Sequence, residues 1–163
     1  MNNLIICGFM GSGKTTVGKA LAEHLNMEFI DTDAEIVKRQ GRSISDIFAT
    51  DGEQYFRRLE TELIKELSEK ENLVISLGGG LAANRVNHPY LKAAGRVILL
   101  DCDIEETLKR ILGDTSRPLT TLGKEDIIER YNLRKPIYQE VADIVANSSG
   151  TPEETLNIIL SLL

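Results

Sequence analysis

The sequence is poor in aromatic residues, cysteine and proline, and it has no tryptophan. Aromatic residues make up 5% of its 163 positions, and it has two cysteines and four prolines. So few aromatic rings argue against a stacking platform for single-stranded nucleic acid. Cys7 and Cys102 each lie at an end of an apolar run, so we expect small buried side chains in a reducing cytosol rather than a disulfide. A domain of this length can fold without a disulfide or a structural metal.

Positive charge is also scarce. The chain has 19 Lys and Arg against 25 Asp and Glu, a net charge of −6. Non-specific nucleic-acid binding needs a basic face, so nucleic acid is not an expected partner. No apolar run approaches the ~18–20 residues of a membrane helix, and residues 1–3 lack the basic start of a signal peptide. We therefore expect a cytoplasmic protein without a membrane partner. Because the net charge is negative, we expect any anionic ligand to be bound by a few locally concentrated cations.

Short aliphatic runs alternate with longer amphipathic stretches. Strands are predicted at residues 4–7, 28–31, 73–77, 97–101 and 143–146, and helices at 14–25, 54–70, 104–112 and 153–162. The runs are continuous in Ile, Val and Leu, as in strands that are covered on both faces. The pattern predicts an α/β three-layer sandwich, in which helices cover both faces of a five-stranded parallel sheet.

One stretch, residues 113–123, fits neither helix nor strand. It contains Pro118 and has glycine at both ends, and a loop of this length in a small domain is usually functional or mobile. We expect one domain over residues 1–163 that contains this single long loop. A monomer is expected because no apolar surface stripe is left over.

Residues 8–15, Gly-Phe-Met-Gly-Ser-Gly-Lys-Thr, match the phosphate-loop pattern G-x-x-x-x-G-K-[ST] in full. Its glycines let successive backbone amides turn toward phosphate oxygens, and the following helix directs its positive N-terminus at the same charge. The lysine reaches the β- and γ-phosphates, and the hydroxyl after it ligates Mg²⁺. The pattern predicts a nucleoside triphosphate with Mg²⁺, bound by Gly11, Ser12, Gly13, Lys14, Thr15 and Thr16.

Two aliphatic runs end in aspartate and offer a second contact to the Mg²⁺ shell. Asp31 follows one run and Asp101 the other, and the local pattern does not separate them because either can cap the next helix. The guanine-reading signature N-K-x-D does not occur, which disfavours a GTPase. These features do not identify the molecule that receives the phosphoryl group.

Five motifs follow the phosphate loop and, together with it, resemble the shikimate kinase family. They are Asp31-Thr32-Asp33, Phe56-Arg57-Arg58-Leu59-Glu60, Gly78-Gly79-Gly80, Arg117-Pro118-Leu119 and Arg134-Lys135-Pro136-Ile137-Tyr138. Each motif alone is weak, but the set spans nearly the whole chain in the correct order. The resemblance implies a phosphate-loop kinase fold with a mobile lid at 113–123. It also implies transfer of the γ-phosphoryl group of ATP to the 3-hydroxyl of shikimate, on the route to chorismate.

The same resemblance implies a substrate-binding region at about residues 32–60, completed by later residues. Arg57 and Arg134 are expected to hold the substrate carboxylate, because arginine forms planar, bidentate bonds to such groups. Glu60 is expected to orient Arg57. The alternatives are a surface helix ion pair of Arg57 with Glu60 or Glu53, and a solvated helix end for Arg134.

Two aspartates around one threonine suggest divided roles. The resemblance implies that Asp33 accepts hydrogen bonds from the substrate hydroxyls and positions or deprotonates the attacking one, while Asp31 serves the Mg²⁺ shell. The alternative for Asp33 is an N-cap of the helical segment that begins at Ala34. The three glycines at 78–80 are expected to bring amides to the carboxylate with no Cβ in the way, or else to form only a tight turn.

On the nucleotide side, the resemblance makes Arg117 a lid residue that delivers its guanidinium to the developing charge as the lid excludes water. Lys14, Asp33 and Arg117 are thus the expected catalytic residues. Arg110 is expected to stack on adenine, with Pro152 at the border of the same pocket, and its alternative is a solvent-facing helical arginine.

Two other functions remain open. A related phosphate-loop kinase for gluconate or a nucleoside monophosphate would share the loop and the lid, but it does not predict Asp33, Arg57, the triple glycine and Arg134 together. A catalytically silent nucleotide-binding module is expected to lack Lys14, Asp33 or Arg117, and all three are present.

Overall fold

A computed structural model describes residues 2–113 and 123–163. The predicted lid at 113–123, with Arg117, lies outside these residues except for its two end glycines. The strands are Asn3–Gly8 (β1), Glu28–Asp31 (β2), Leu73–Ser76 (β3), Gly95–Asp101 (β4) and Ile144–Asn147 (β5). The helices are Lys14–Leu25 (α1), Thr32–Gln40 (α2), Ile44–Asp51 (α3), Glu53–Leu67 (α4), Gly79–Ala83 (α5), His88–Ala94 (α6), Ile104–Leu112 (α7), Lys124–Val141 (α8) and Pro152–Leu162 (α9).

The five strands form one parallel sheet in the order β2-β3-β1-β4-β5, which confirms the predicted α/β class. β1 lies at the centre and is buried along its whole length. The expected cover on both faces is wrong for the two edge strands. β2 has no buried residue, and β5 alternates between buried and exposed residues, with Val145 50% exposed. All strands end at the same edge of the sheet, where ligands bind in open parallel sheets.

Alternate residues of β1 point into two separate layers of the core. Ile6 packs with Val17 of α1 and Ile159 of α9 on one face. Ile5 packs on the other face with residues of α4, α5, α6 and α8, such as Leu63. This is the expected three-layer arrangement. Both cysteines are buried and free. Within residues 2–113 and 123–163, no helix is long and apolar enough to cross a membrane.

The helix α8 is not among the helices predicted from the sequence, and it overturns the alternative that Arg134 lies at a solvated helix end. The helix continues through Pro136 to Val141. Proline removes the hydrogen bond to the carbonyl four residues earlier. That carbonyl belongs to Asn132, which is exposed, so water can satisfy it. Arg134 therefore lies in the middle of a helix, where its side chain is partly buried.

Candidate active site

The phosphate loop connects β1 to α1 at the carboxyl edge of the sheet. Gly11 has φ +75° and Gly13 has φ +95°, values that L side chains rarely adopt. The Lys14 ammonium donates to the carbonyls of Gly8 (2.8 Å) and Phe9 (3.2 Å), so it lies across the loop that precedes it. Together with the first amides of α1, the loop has the charge and the backbone shape of an anion cradle.

The structure separates the two aspartates that the sequence left equivalent. The Thr15 hydroxyl donates to Oδ2 of Asp31 at 3.2 Å, whereas Oδ1 of Asp101 lies 3.3 Å from Nζ of Lys135. A hydroxyl and a carboxylate side by side at the phosphate loop are the hard oxygen ligands that Mg²⁺ prefers. The donor set thus fits a magnesium site at Thr15 and Asp31.

Asp31 also caps α2, because its Oδ1 accepts a hydrogen bond from the amide of Ala34 at 3.0 Å. The alternative that Asp33 provides this cap is therefore wrong. Asp33 instead lies in the first turn of α2, and its carboxyl group is directed toward the triple glycine. Burial and the neighbouring Asp31 raise the pKa of Asp33, and the charges of Lys14 and Arg57 oppose this shift.

Each glycine of the triple-glycine segment lies against one of the side chains predicted to bind substrate. A Cβ on Gly78 would lie 2.6 Å from Oδ1 of Asp33, one on Gly79 would lie 3.0 Å from Nη1 of Arg134, and one on Gly80 would lie 2.6 Å from Cζ of Arg57. The absence of a Cβ at Gly78 and Gly80, and to a smaller degree at Gly79, lets a carboxylate and two guanidinium groups approach the same short stretch of backbone.

Two buried side chains hold the triple-glycine segment in place, and the sequence analysis assigned neither of them a role. The Gly78 amide donates to Oγ1 of Thr32 at 2.9 Å, and the Tyr138 hydroxyl donates to the Gly79 carbonyl at 2.9 Å. Gly79 and Gly80 form the first turn of α5, where helical amides have no acceptor within the helix. Thr32 and Tyr138 lie inside the quoted motifs, but only the folded chain shows what they contact.

The ion pair of Arg57 is largely buried. Its Nη1 donates to Oε1 of Glu60 at 2.7 Å, and its Nη2 donates to Glu53 at 3.2 Å. The Glu60 side chain is 1% exposed, so the simple surface pair considered above is wrong for this contact. Burial raises the pKa of Glu60 to about 7, against the lowering effect of Arg57. The hydrogen bond to Glu60 holds the Arg57 guanidinium beside Gly80.

Replacing Glu60 by glutamine should remove a pH dependence of stability. In the folded protein the pKa of Glu60 is raised to about 7, whereas the ordinary pKa of a glutamate is 4.5. Stability therefore falls as pH rises through this interval, because the folded state binds more protons than the unfolded chain. Between about pH 5 and pH 8, we expect the free energy of unfolding of Glu60→Gln relative to wild type to rise by roughly 1–3 kcal/mol.

Urea denaturation of both proteins across this pH range measures the effect. Glu62→Gln, an exposed change on the same helix, is the matched control and should follow the wild-type curve. Parallel curves for Glu60→Gln and wild type would show that Glu60 does not titrate in this range.

A cavity of about 370 Å³ lies between the phosphate loop, the start of α2, the triple glycine and α8. Lys14, Asp33 and Arg134 line it together with Gly78 and Gly79, and Arg57 lies against the next residue, Gly80. Its wall also includes Arg130, which the sequence analysis did not single out. The cavity brings the phosphate loop and side chains that were predicted to bind the acceptor into one space.

A second cavity of about 250 Å³ lies on the other side of the phosphate loop, and Ser12, Thr16 and Pro152 contribute to its lining. Arg110 lines it too, and donates to the carbonyls of Gly11 (3.0 Å), Ser148 (2.8 Å) and Gly150 (3.0 Å). The alternative of a solvent-facing Arg110 is therefore wrong. These bonds hold the guanidinium plane between two loops, and a planar cation of this kind can stack on an aromatic ring. Arg117 lies outside the described residues, so its position stays a prediction.

A family model described as shikimate kinase matches residues 10–163. The chain is 45% identical over 161 residues to the shikimate kinase of Persephonella marina, covering 98% of each chain. It is 44% identical over 160 residues to that of Aquifex aeolicus, covering 98% of this chain and 95% of the relative.

Among solved structures, shikimate kinase from Acinetobacter baumannii in complex with shikimate superposes with a TM-score of 0.91 at 36% identity, covering 99% of this chain and 92% of that one. A gluconokinase from Sinorhizobium meliloti reaches a TM-score of 0.66 at 17% identity, covering 98% of this chain and 90% of that one. The second likeness concerns the fold alone.

Proposed function

This chain belongs to the shikimate kinase family, and from that membership we propose that it transfers the γ-phosphoryl group of ATP to the 3-hydroxyl group of shikimate. The products are shikimate 3-phosphate and ADP. The observation that carries the proposal is the convergence of Asp33, Arg57 and Arg134 on the triple glycine, beside the phosphate loop. One carboxylate for hydroxyl groups and two guanidinium groups for a carboxylate match a small hydroxylated acid.

The nucleotide side of the mechanism uses the phosphate loop. Its amides and Lys14 bind the β- and γ-phosphates of ATP, and Thr15 and Asp31 would hold Mg²⁺. When bound, Mg²⁺ neutralises charge on the phosphate oxygens. Arg110 and Pro152 hold the adenine ring in the second cavity, where the guanidinium is already fixed by three carbonyls.

The acceptor side of the mechanism orients the hydroxyl group. Arg57, Arg134 and the amides at 79 and 80 bind the substrate carboxylate, which places the 3-hydroxyl near Asp33. Asp33 accepts the hydrogen bond of this hydroxyl and receives its proton as the oxygen attacks phosphorus. Arg117, which belongs to the catalytic set with Lys14 and Asp33, stabilises charge on the moving phosphoryl group.

The decisive experiment is a coupled assay of ADP release with ATP and Mg²⁺, in the presence of shikimate, gluconate, AMP or no acceptor. We expect release that depends on shikimate alone. Lys14→Met is the matched inactive control, because it removes the phosphate-binding cation and nearly keeps the side-chain volume. Release with gluconate or AMP instead would overturn the roles of Asp33, Arg57 and Arg134. Tight ATP binding without release for any acceptor would indicate a silent nucleotide-binding module.

A further inference from the structure

Arg130 is a cation of the first cavity that lies outside every motif quoted above. It is on α8, one helical turn before Arg134, and both guanidinium-bearing residues line the same cavity. It is half-buried rather than exposed on the outer face of the helix. Its sequence surroundings give no signal, because a single arginine in a largely polar stretch has the pattern of an ordinary surface residue.

Neighbouring contacts place Arg130 near the phosphate end of the cavity. The next residue, Tyr131, packs edge-on against Phe9 of the phosphate loop, with 5.4 Å between ring centroids. Met10 lies after Phe9 in the loop and lines the cavity with Arg130. Arg134, one turn further along, lies beside Gly79. Arg130 therefore faces the phosphate loop, while Arg134 faces the part of the cavity predicted to bind the acceptor.

Among the described residues, Arg130 lacks the direct carboxylate partner that several other arginines have. Arg39, Arg57 and Arg110 each form ion pairs with carboxylates. Over residues 2–113 and 123–163, Arg130 forms no ion pair with a carboxylate. Its cavity is lined by three cations, Lys14, Arg130 and Arg134, and by two carboxylates, Asp31 and Asp33. The lining therefore carries an excess of positive charge, which favours an anion in the cavity.

We propose that Arg130 binds the phosphoryl group while it moves from the nucleotide to the acceptor. This role rests on the proposed function, since the moving group is the γ-phosphoryl of ATP. Arg130 thereby acts from the α8 side of the cavity, opposite the phosphate loop. Lys14 holds the same group from the nucleotide side, and Arg134 remains available for the acceptor carboxylate.

The test compares wild type, Arg130→Ala, Arg130→Lys and Arg85→Ala. Arg85 is an exposed arginine paired with Glu140 of α8, so its removal is a matched loss of one positive charge. For Arg130→Ala with shikimate, we expect kcat to fall about 10-fold with KM for shikimate nearly unchanged, as for loss of one charge-assisted hydrogen bond. Arg130→Lys should recover part of this loss, and Arg85→Ala should match wild type.

A binding measurement separates this proposal from the proposed function. Calorimetry with ADP, and with ADP plus fluoroaluminate and Mg²⁺ as a mimic of the moving phosphoryl group, needs no acceptor. We expect Arg130→Ala to weaken the fluoroaluminate complex about 10-fold and to leave ADP binding unchanged. Equal affinities in wild type and Arg130→Ala would overturn the role, as would a raised KM for shikimate at unchanged kcat. Absence of wild-type activity with shikimate would instead overturn the proposed function, and the calorimetry would still decide the role of Arg130.

Discussion

Asp33→Asn should lower kcat for shikimate phosphorylation by about 10³-fold, within the range expected for loss of a general base. Asparagine has nearly the same shape as aspartate, so it fits beside Gly78, where the backbone leaves room for a carboxyl group. It cannot accept the proton of the attacking hydroxyl, and it does not provide the negative charge that Lys14 and Arg57 face. ATP affinity should stay close to wild type.

Steady-state kinetics and ATP titration measure this effect, with Asp46→Asn, an exposed aspartate of α3, as the control that should keep wild-type activity. The pH profile gives an independent readout. Asp33 must be ionised to accept the proton, so wild-type kcat should rise with pH through its pKa. That pKa is raised by burial, which places the acid limb at a higher pH than for an exposed aspartate. A kcat within about three-fold of wild type in Asp33→Asn would show that Asp33 is not the base.

The strands and the phosphate loop could be predicted because their signals are local. Predicted and observed bounds agree for β2, α1 and α7, and differ by three residues or fewer elsewhere among the predicted elements. A buried parallel strand corresponds to one continuous aliphatic run in the sequence, and a phosphate loop corresponds to one short motif. Thr15 and Asp31 meet because parallel strands bring their carboxyl ends to one edge.

The remaining parts of the site depend on contacts between distant residues. Arg110 binds carbonyls near residues 11 and 148, and no local pattern specifies those acceptors. Glutamate is a residue type that is usually exposed, yet tertiary packing buries Glu60. The helix α8 continues through a proline because the orphaned carbonyl is exposed, which the sequence does not reveal. Arg130 lies beside Lys14 and Arg134 only in the folded chain, where all three line one cavity.

Gly80→Ala should raise KM for shikimate about 100-fold, as expected for displacing a charged hydrogen-bonding partner of a carboxylate. The new Cβ would overlap the guanidinium of Arg57, whose Cζ lies 2.6 Å from that position. Because the guanidinium is the flexible end of a long side chain, it moves rather than the backbone of α5. Alanine is the better helix former, and this gain of about 0.5–1 kcal/mol offsets part of the cost of moving Arg57 from Glu60. The fold should therefore persist while shikimate binding is weakened.

A double-mutant cycle with Arg57→Ala tests whether Gly80→Ala acts through Arg57. Once Arg57 is truncated, the alanine Cβ at residue 80 has no guanidinium to displace, so the second change should add little to the first. Gly79→Ala gives a graded comparison, because its Cβ would lie 3.0 Å from Nη1 of Arg134 and requires only a small shift. We expect KM to increase less for Gly79→Ala than for Gly80→Ala. Fully additive effects of Arg57→Ala and Gly80→Ala on KM would contradict the close packing of backbone and guanidinium as the reason for a glycine at residue 80.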